Sequence, residues 1–243
     1  MLRVGGTRNL RDLGGYATRD GRRTRWRTVY RSDCLDQVDA EGQAWLVRSG
    51  LRTVIDLRDK VEAANRPNVF AGSAVVAYRR VPLWDEPLPD SAAPDVADGY
   101  LRELDLLGPR LVAVIEDVLA PGALPVLIHC AAGKDRTGLV VALLLAAVGV
   151  PDETIAEDYA LSSVCLGPEY VAASRTWVLE RGLDWARWAH LFETPPDRML
   201  KTLAYLERQF GGAERYLRDH GLAAERIAEL RERLTEPDTG PTA

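Results

Sequence analysis

Lysine is almost missing from this chain. Its 243 residues carry 31 basic side chains, of which only Lys60, Lys134 and Lys201 are lysines. Cysteine is as sparse. Cys34, Cys130 and Cys165 are too few and too scattered for a disulfide framework or a CxxC metal site. The three histidines, His129, His190 and His220, form no HExxH or comparable ligand spacing, so neither a metal nor a cofactor is expected. There is no basic excess: the net charge is −5 and the pI about 5.4, which argues against nucleic-acid binding driven by global charge. Long apolar runs are lacking too. The longest, Leu139 to Val148, is too short to cross a bilayer, so no transmembrane segment is expected. The N-terminal Met-Leu-Arg-Val-Gly-Gly-Thr-Arg has no apolar stretch of the secretory kind, which makes the cytoplasm the default location and leaves export without a signal peptide open. Nothing in the sequence speaks to oligomeric state.

What is present is ordinary globular material, 47% apolar and 28% charged, of a length that one α/β domain spanning 1–243 accommodates. Strand-like and helix-like segments alternate, which favours a parallel central sheet flanked by helices, with a mostly helical part from Pro151 to about Leu234. Tyr16 to Arg31 reads as a β-hairpin about Asp20-Gly21. Asp39 to Ser49 reads as a helix, Asp39 its N-cap and Gly50 its C′ residue. Short strands are expected at Thr53 to Leu57, Val75 to Leu83 and Pro125 to Ile128. Residues 85–98 read as a mobile loop, Leu111 to Leu119 as a helix, Gly138 to Val148 as a helix buried on all sides, and 236–243 as a polar tail.

The chemistry concentrates in Val126-Leu-Ile-His-Cys-Ala-Ala-Gly-Lys-Asp-Arg-Thr-Gly138, which runs strand, loop, helix. Cys130 and Arg136 bracket five residues. Backbone N–H groups of the tight loop over Ala131, Ala132 and Gly133 can converge on an anion, and the helix N-terminus adds partial positive charge. Arg136 offers a planar fork that matches two phosphate oxygens. A thiol at a helix N-terminus beside cations favours the thiolate, the nucleophilic form. Thr137 is placed to hydrogen-bond that sulfur, His129 to order the loop, and Lys134 to reach outward to a second anionic group of the substrate. A bare C-x5-R is a weak signal; its position after an apolar strand and before an apolar helix makes it strong.

His129-Cys-Ala-Ala-Gly-Lys-Asp-Arg-Thr-Gly138 resembles the signature of the protein tyrosine phosphatase superfamily, and is most similar to its bacterial branch of tyrosine and phosphoinositide phosphatases. Arg8-Asn-Leu-Arg-Asp-Leu-Gly-Gly-Tyr16, Tyr30-Arg-Ser32, Val54-Ile-Asp-Leu-Arg58 and Asp158-Tyr-Ala-Leu-Ser162 are similar to other recurring segments of that branch, and Met199 to Leu234 is so less specifically. The resemblance implies a tyrosine phosphatase-like α/β fold and a metal-free hydrolysis of phosphotyrosine or phosphoinositide monoesters through a phosphocysteine. It implies a general acid at Asp135, with Asp85 in Leu83-Trp-Asp-Glu-Pro87 as the alternative, and a helical lid at about 163–195.

Other residues carry two readings each. Asp56 ends a strand, where it could orient Arg136 or the substrate, or pair structurally with a nearby arginine. Arg19, Arg22, Arg23, Arg25, Arg27 and Arg31 are either solvated hairpin residues or a cationic rim. Trp177, Trp185 and Trp188 are either core, or a lid or transient membrane-contact surface. Against the phosphatase reading stand an inactive phosphate-binding pseudo-phosphatase and, using the same anion loop, a sulfurtransferase or arsenate reductase.

Overall fold

The computed structural model describes residues 2, 4–84 and 96–238. A five-stranded sheet carries β1 (Arg11–Asp12), β3 (Val29–Ser32), β6 (Val126–His129), β4 (Thr53–Asp56) and β5 (Ala77–Arg80) in that spatial order. β3, β6, β4 and β5 run parallel, and β1 closes one edge antiparallel to β3. A separate two-stranded sheet pairs β2 (Arg22–Thr24) with β7 (Thr235–Pro237).

The strands alternate their side chains between two cores, as a period of two requires. Val29, Ile55, Leu57, Val126 and Ile128 face one apolar cluster; Tyr30, Val54 and Leu127 face the other. The second cluster is closed by α1 (Ala40–Arg48), where Leu46 is buried, and by the N-terminal arm through Val4 and Leu10. α1 begins as expected, with Asp39 Oδ1 accepting from Gly42 N–H at 2.7 Å. The first cluster is covered by α3 (Val96–Val118), α4 (Asp135–Ala147), α5 (Asp152–Glu180), α7 (Pro196–Phe210), α8 (Ala213–Asp219) and α9 (Ala224–Leu234). α4 is buried along nearly its whole length, which is why its sequence is apolar on every side. α2 (Lys60–Asn65) buries nothing and sits beyond the end of β4. The short α6 (Trp185–Trp188) and a 3₁₀ turn at Ala189–Phe192 lie between α5 and α7.

Three expectations are corrected. The turn about Asp20-Gly21 forms, with Thr18 N–H bonded to Arg22 O and Thr24 N–H to Tyr16 O at 2.8 Å each, but the hairpin stops there. Arg27, in the left-handed region at φ 56°, turns the chain, and Val29–Ser32, buried on both faces, joins the central sheet. The helix read from Leu111 begins by Val96, so 96–98 are helix and not loop. Gly108 lies inside this helix for close approach: a Cβ there would fall 1.9 Å from the His220 ring. Glu236 and Pro237, expected in the tail, pair with Arg23 and Arg22. Beyond these, α5 is interrupted at Gly167 (φ 71°), followed by Pro168.

Candidate active site

The parallel register sets Ser32, His129, Asp56 and Arg80 side by side at the C-terminal ends of four strands, the edge at which α/β folds collect their chemistry. Cys130 follows directly from β6 and Arg136 lies in the first turn of α4, so the strand and helix fix both ends of the loop.

The loop between them is held from outside. Ala131 O accepts from Cys34 N–H at 3.0 Å. The Asn9 amide donates to Ala132 O at 2.9 Å and Gly133 O at 3.0 Å, and Arg31 donates to Gly133 O at 2.7 Å. In a trans peptide the N–H points opposite the C=O. With these three carbonyls turned into the scaffold, the N–H groups of residues 132–134 are turned to the other side, the arrangement of an anion-binding nest. Gly133 has φ 66°, and a Cβ there would lie 2.2 Å from Ser32 O, so no other residue fits.

Arg31 is itself anchored. Asp158 accepts from Arg31 at 2.6 Å and from Arg11 Nε at 2.8 Å, all three side chains buried, and from the hydroxyl of the half-buried Tyr16 at 2.9 Å. Burial works against the Asp158 carboxylate, but Arg31 and Arg11 outweigh it and hold its pKa below the usual carboxylate range. The sequence segments at 8–16, 30–32 and 158–162 thus meet behind the loop.

Arg136 is 8% exposed and its guanidinium grips Glu62 with two parallel bonds, 2.5 Å to Oε2 and 2.7 Å to Oε1. It also lies 5.0 Å from the centre of the Trp84 ring. Burial disfavours the guanidinium, but the Glu62 bonds and the Cys130 and Asp135 charges more than offset it and raise its pKa. Glu62 is a residue that sequence reasoning missed. Its one legible trace is the capping box at the start of α2, where Asp59 accepts from Glu62 N–H and Glu62 accepts from Asp59 N–H.

Asp135 accepts a 2.5 Å bond from the Tyr100 hydroxyl, which also bonds the Tyr159 hydroxyl at 2.9 Å. Lys134 does not face outward. It is 1% exposed, donates to the Leu191 carbonyl and stands 3.4 Å from Asp135. Asp56 pairs with a nearby arginine, accepting from Arg58 at 2.6 Å, and also accepts from the Tyr78 hydroxyl at 2.8 Å. His129 is fixed as the neutral ring protonated on Nδ1. Cys130 O can only accept from Nδ1 (3.0 Å), and the Asn68 amide nitrogen can only donate to Nε2 (2.8 Å), its orientation set by Phe70 N–H on Asn68 Oδ1. Burial, exceeding the opposing pull of Asp56, lowers the His129 pKa in the same sense. Thr137 Oγ1 is buried at the base of α4 with no hydrogen-bond partner, so its expected bond to the sulfur is not formed. Asp85 lies outside the described residues.

The arginine-rich stretch does not gather as a rim. Arg19 bonds Asp152, Arg22 Thr235, Arg23 Asp238 and Arg25 Glu236, and among the described contacts only Arg31 reaches the loop. The three tryptophans are not core. Trp177 is 45% exposed beneath the Arg181 guanidinium, Trp185 stacks on Phe192 at 5.5 Å, and Trp188 is half-buried. No described helix is long and apolar enough to cross a membrane.

A cysteine and an arginine bracket this nest at a strand–helix junction, and comparison with known proteins gives the family of the chain. The sequence model of the tyrosine phosphatase family matches residues 2–236, and the chain belongs to that family. It is 32% identical over 211 residues to a tyrosine-protein phosphatase of Nostoc commune, covering 81% of this chain and 70% of that one. It is 33% identical over 193 residues to the triple specificity protein phosphatase PtpB of Mycobacterium tuberculosis, covering 65% and 67%. The crystal structure of P. aeruginosa TpbA aligns over 83% of this chain and 91% of that one, at 18% identity and a TM-score of 0.45. The chain is accordingly a phosphatase, a phosphoric monoester hydrolase acting on phosphorylated substrates.

Proposed function

We propose that this enzyme hydrolyses phosphotyrosine by two displacements at Cys130. The Cys130 thiolate attacks phosphorus while the nest of N–H groups at 132–134 and the Arg136 fork hold the phosphoryl oxygens. The P–O bond to the leaving group breaks as the S–P bond forms, and Asp135 gives that oxygen its proton. Water then attacks the phosphocysteine, its proton returns to the carboxylate, and the sulfur leaves as thiolate. His129, neutral and locked, and Asn9 and Arg31, gripping the loop carbonyls, keep the nest in shape. Thr137, whose buried hydroxyl lacks a partner, is the donor suited to a sulfur bearing negative charge. Glu62 presents Arg136.

The observation that carries this reading is the outward anchoring of the carbonyls of residues 131–133 between the thiol and the guanidinium. Retention of all these groups argues against an inactive phosphate binder. The test is turnover of a phosphotyrosine peptide beside a Cys130→Ser control, with phosphoinositide vesicles as a second arm. Wild type is expected to release phosphate from the peptide and Cys130→Ser to release none while still binding inorganic phosphate. Turnover by Cys130→Ser within tenfold of wild type would overturn the mechanism, and release from vesicles alone would move the substrate class to lipid.

A further inference from the structure

A chain of hydrogen bonds ends on the Asp135 carboxylate, and the mechanism above does not use it. Tyr100 on α3, Tyr159 on α5 and Arg198 on α7 are all buried. Arg198 Nη1 lies 3.4 Å from the Tyr159 hydroxyl, that hydroxyl lies 2.9 Å from the Tyr100 hydroxyl, and the Tyr100 hydroxyl lies 2.5 Å from Asp135 Oδ1. The two rings meet edge to face, 6.1 Å between centres. Arg198 is held in turn by the Glu193 carbonyl at 2.5 Å and the His190 carbonyl at 3.0 Å. The two oxygens of Asp135 differ in their surroundings. Oδ1 takes the Tyr100 bond and stands 3.4 Å from the Lys134 ammonium. Oδ2 has no protein partner among the described contacts, and the side chain is 38% exposed.

The direction of the chain follows from what each group can do. A guanidinium only donates, so Tyr159 accepts from Arg198. An ionised carboxylate only accepts, so Tyr100 spends its one hydrogen on Oδ1. Tyr159 then gives its own hydrogen to Tyr100. Both phenols keep their hydrogens: burial first, and the Asp135 charge second, push Tyr100 well above the usual phenol range and Tyr159 up to about 12. We propose that Tyr100 is the positioning residue of the general acid, and that Tyr159 and Arg198 behind it order the chain so that Asp135 carries its transferable proton on Oδ2. This rests on the assignment of Asp135 as the acid made above. A hydrogen on Oδ1 would meet the Tyr100 hydrogen and the Lys134 ammonium; on Oδ2 it meets neither. With Oδ1 held, the free oxygen is aimed before the substrate arrives. In the first displacement the O–H bond at Oδ2 breaks and its proton passes to the leaving oxygen. In the second the attacking water returns a proton to Oδ2. Tyr100 donates to Oδ1 in both states, so nothing behind the acid has to reverse during turnover.

The test is kcat/KM on phenyl phosphate, a poor leaving group, and on p-nitrophenyl phosphate, a good one. The two are compared within each variant, so the ratio does not depend on how much of the protein is folded. Tyr100→Phe keeps the buried ring and removes the hydroxyl, and it should lose about tenfold more on phenyl phosphate than on p-nitrophenyl phosphate. Tyr159→Phe leaves the bond to Asp135 in place, and its bias should have the same sign but reach only about threefold. Added to Asp135→Asn, Tyr100→Phe should leave the ratio within about twofold, because the acid through which it acts is gone. Equal losses on both substrates in Tyr100→Phe overturn the proposal. So does the full bias persisting in the Asp135→Asn background, or a larger bias in Tyr159→Phe than in Tyr100→Phe. Asp135→Asn alone separates this from failure of the reading beneath it. If that variant shows no bias, the acid is misassigned and the proposal falls with it; if it shows the bias and Tyr100→Phe does not, the proposal alone fails.

Discussion

Asp158→Asn should be among the most damaging isosteric substitutions in this protein. The carboxylate bridges two guanidiniums in the interior, with side-chain exposures of 3% for Arg11, 1% for Arg31 and 1% for Asp158 itself. Oδ1 accepts from Arg11 and Tyr16 and Oδ2 from Arg31, so an amide must turn its NH2 against a donor whichever way it is placed. Removing one partner of a buried ion pair costs about 3–5 kcal/mol, because the remaining charges stay buried without compensation. That is a third or more of the roughly 5–15 kcal/mol that holds a domain folded. Urea titration at pH 7 should show it, with a thermal midpoint lowered by about 10 °C. The pH dependence has a definite sign. The folded-state pKa of Asp158 is depressed below the 3.8 of a free aspartate, so its stabilisation is present above that value and is lost as pH falls through the folded-state value. The gap between wild type and variant should therefore be level from pH 5 to 8 and narrow below pH 4. Arg31 also grips Gly133 O, so kcat should fall by about tenfold to a hundredfold as the nest loosens. A loss of stability under about 1 kcal/mol would refute the reasoning, since the carboxylate would then be no more than an exposed ion pair in its effect.

Glu62→Gln should lower kcat/KM about tenfold, chiefly through KM, because Arg136 loses its second anchoring bond; tighter inhibition by inorganic phosphate would show instead that Glu62 competes for the arginine. Asn9→Ala leaves the half-buried Ala132 carbonyl without its donor and the buried Gly133 carbonyl with Arg31 alone. It should cost about 1–3 kcal/mol in urea titration and weaken phosphate binding in calorimetry; unchanged phosphate affinity would separate Asn9 from the nest. Lys134→Ala should lower turnover of a phosphotyrosine peptide and of phosphoinositide vesicles equally, and expose 185–194 to proteolysis, since its ammonium ties the loop to Leu191. A loss confined to vesicles would show that the ammonium serves the lipid substrate.

The catalytic loop was legible because everything it needs is contiguous: an apolar strand, Cys130, Gly133, Arg136 and an apolar helix follow one another within a single stretch. The parallel sheet was legible for a similar reason, its strands being short apolar runs between turn signals. What stayed hidden depends on contacts between distant segments. Glu62 could be read as the end of a capping box, but nothing local says that its carboxylate reaches Arg136, 74 residues on. Tyr100 lies just beyond residues 85–98, which read as a mobile loop, so no helix was expected to carry its hydroxyl to Asp135. Arg31 looked like one of six similar arginines, and only the register of β3 beside β6 sets it behind Gly133. Lys134 was read from its position in the loop, yet its direction is decided by the Leu191 carbonyl of a segment far along the chain.

The braces of the loop have a consequence for when the enzyme comes into being. Asn9 meets Gly133 across 124 residues, Arg31 meets it across 102, and Arg31 is secured to Asp158 across 127. Contacts of such long range form late, after the chain between them has been gathered in. A ribosome that has released residues 1–140 has made the nucleophile, the guanidinium and every peptide of the nest, but not the carboxylate that locks Arg31 in place. The growing chain therefore carries its reactive thiol in a loop that Asn9 and Cys34 can already hold, while the Arg31 brace stays unsecured until residue 158 emerges.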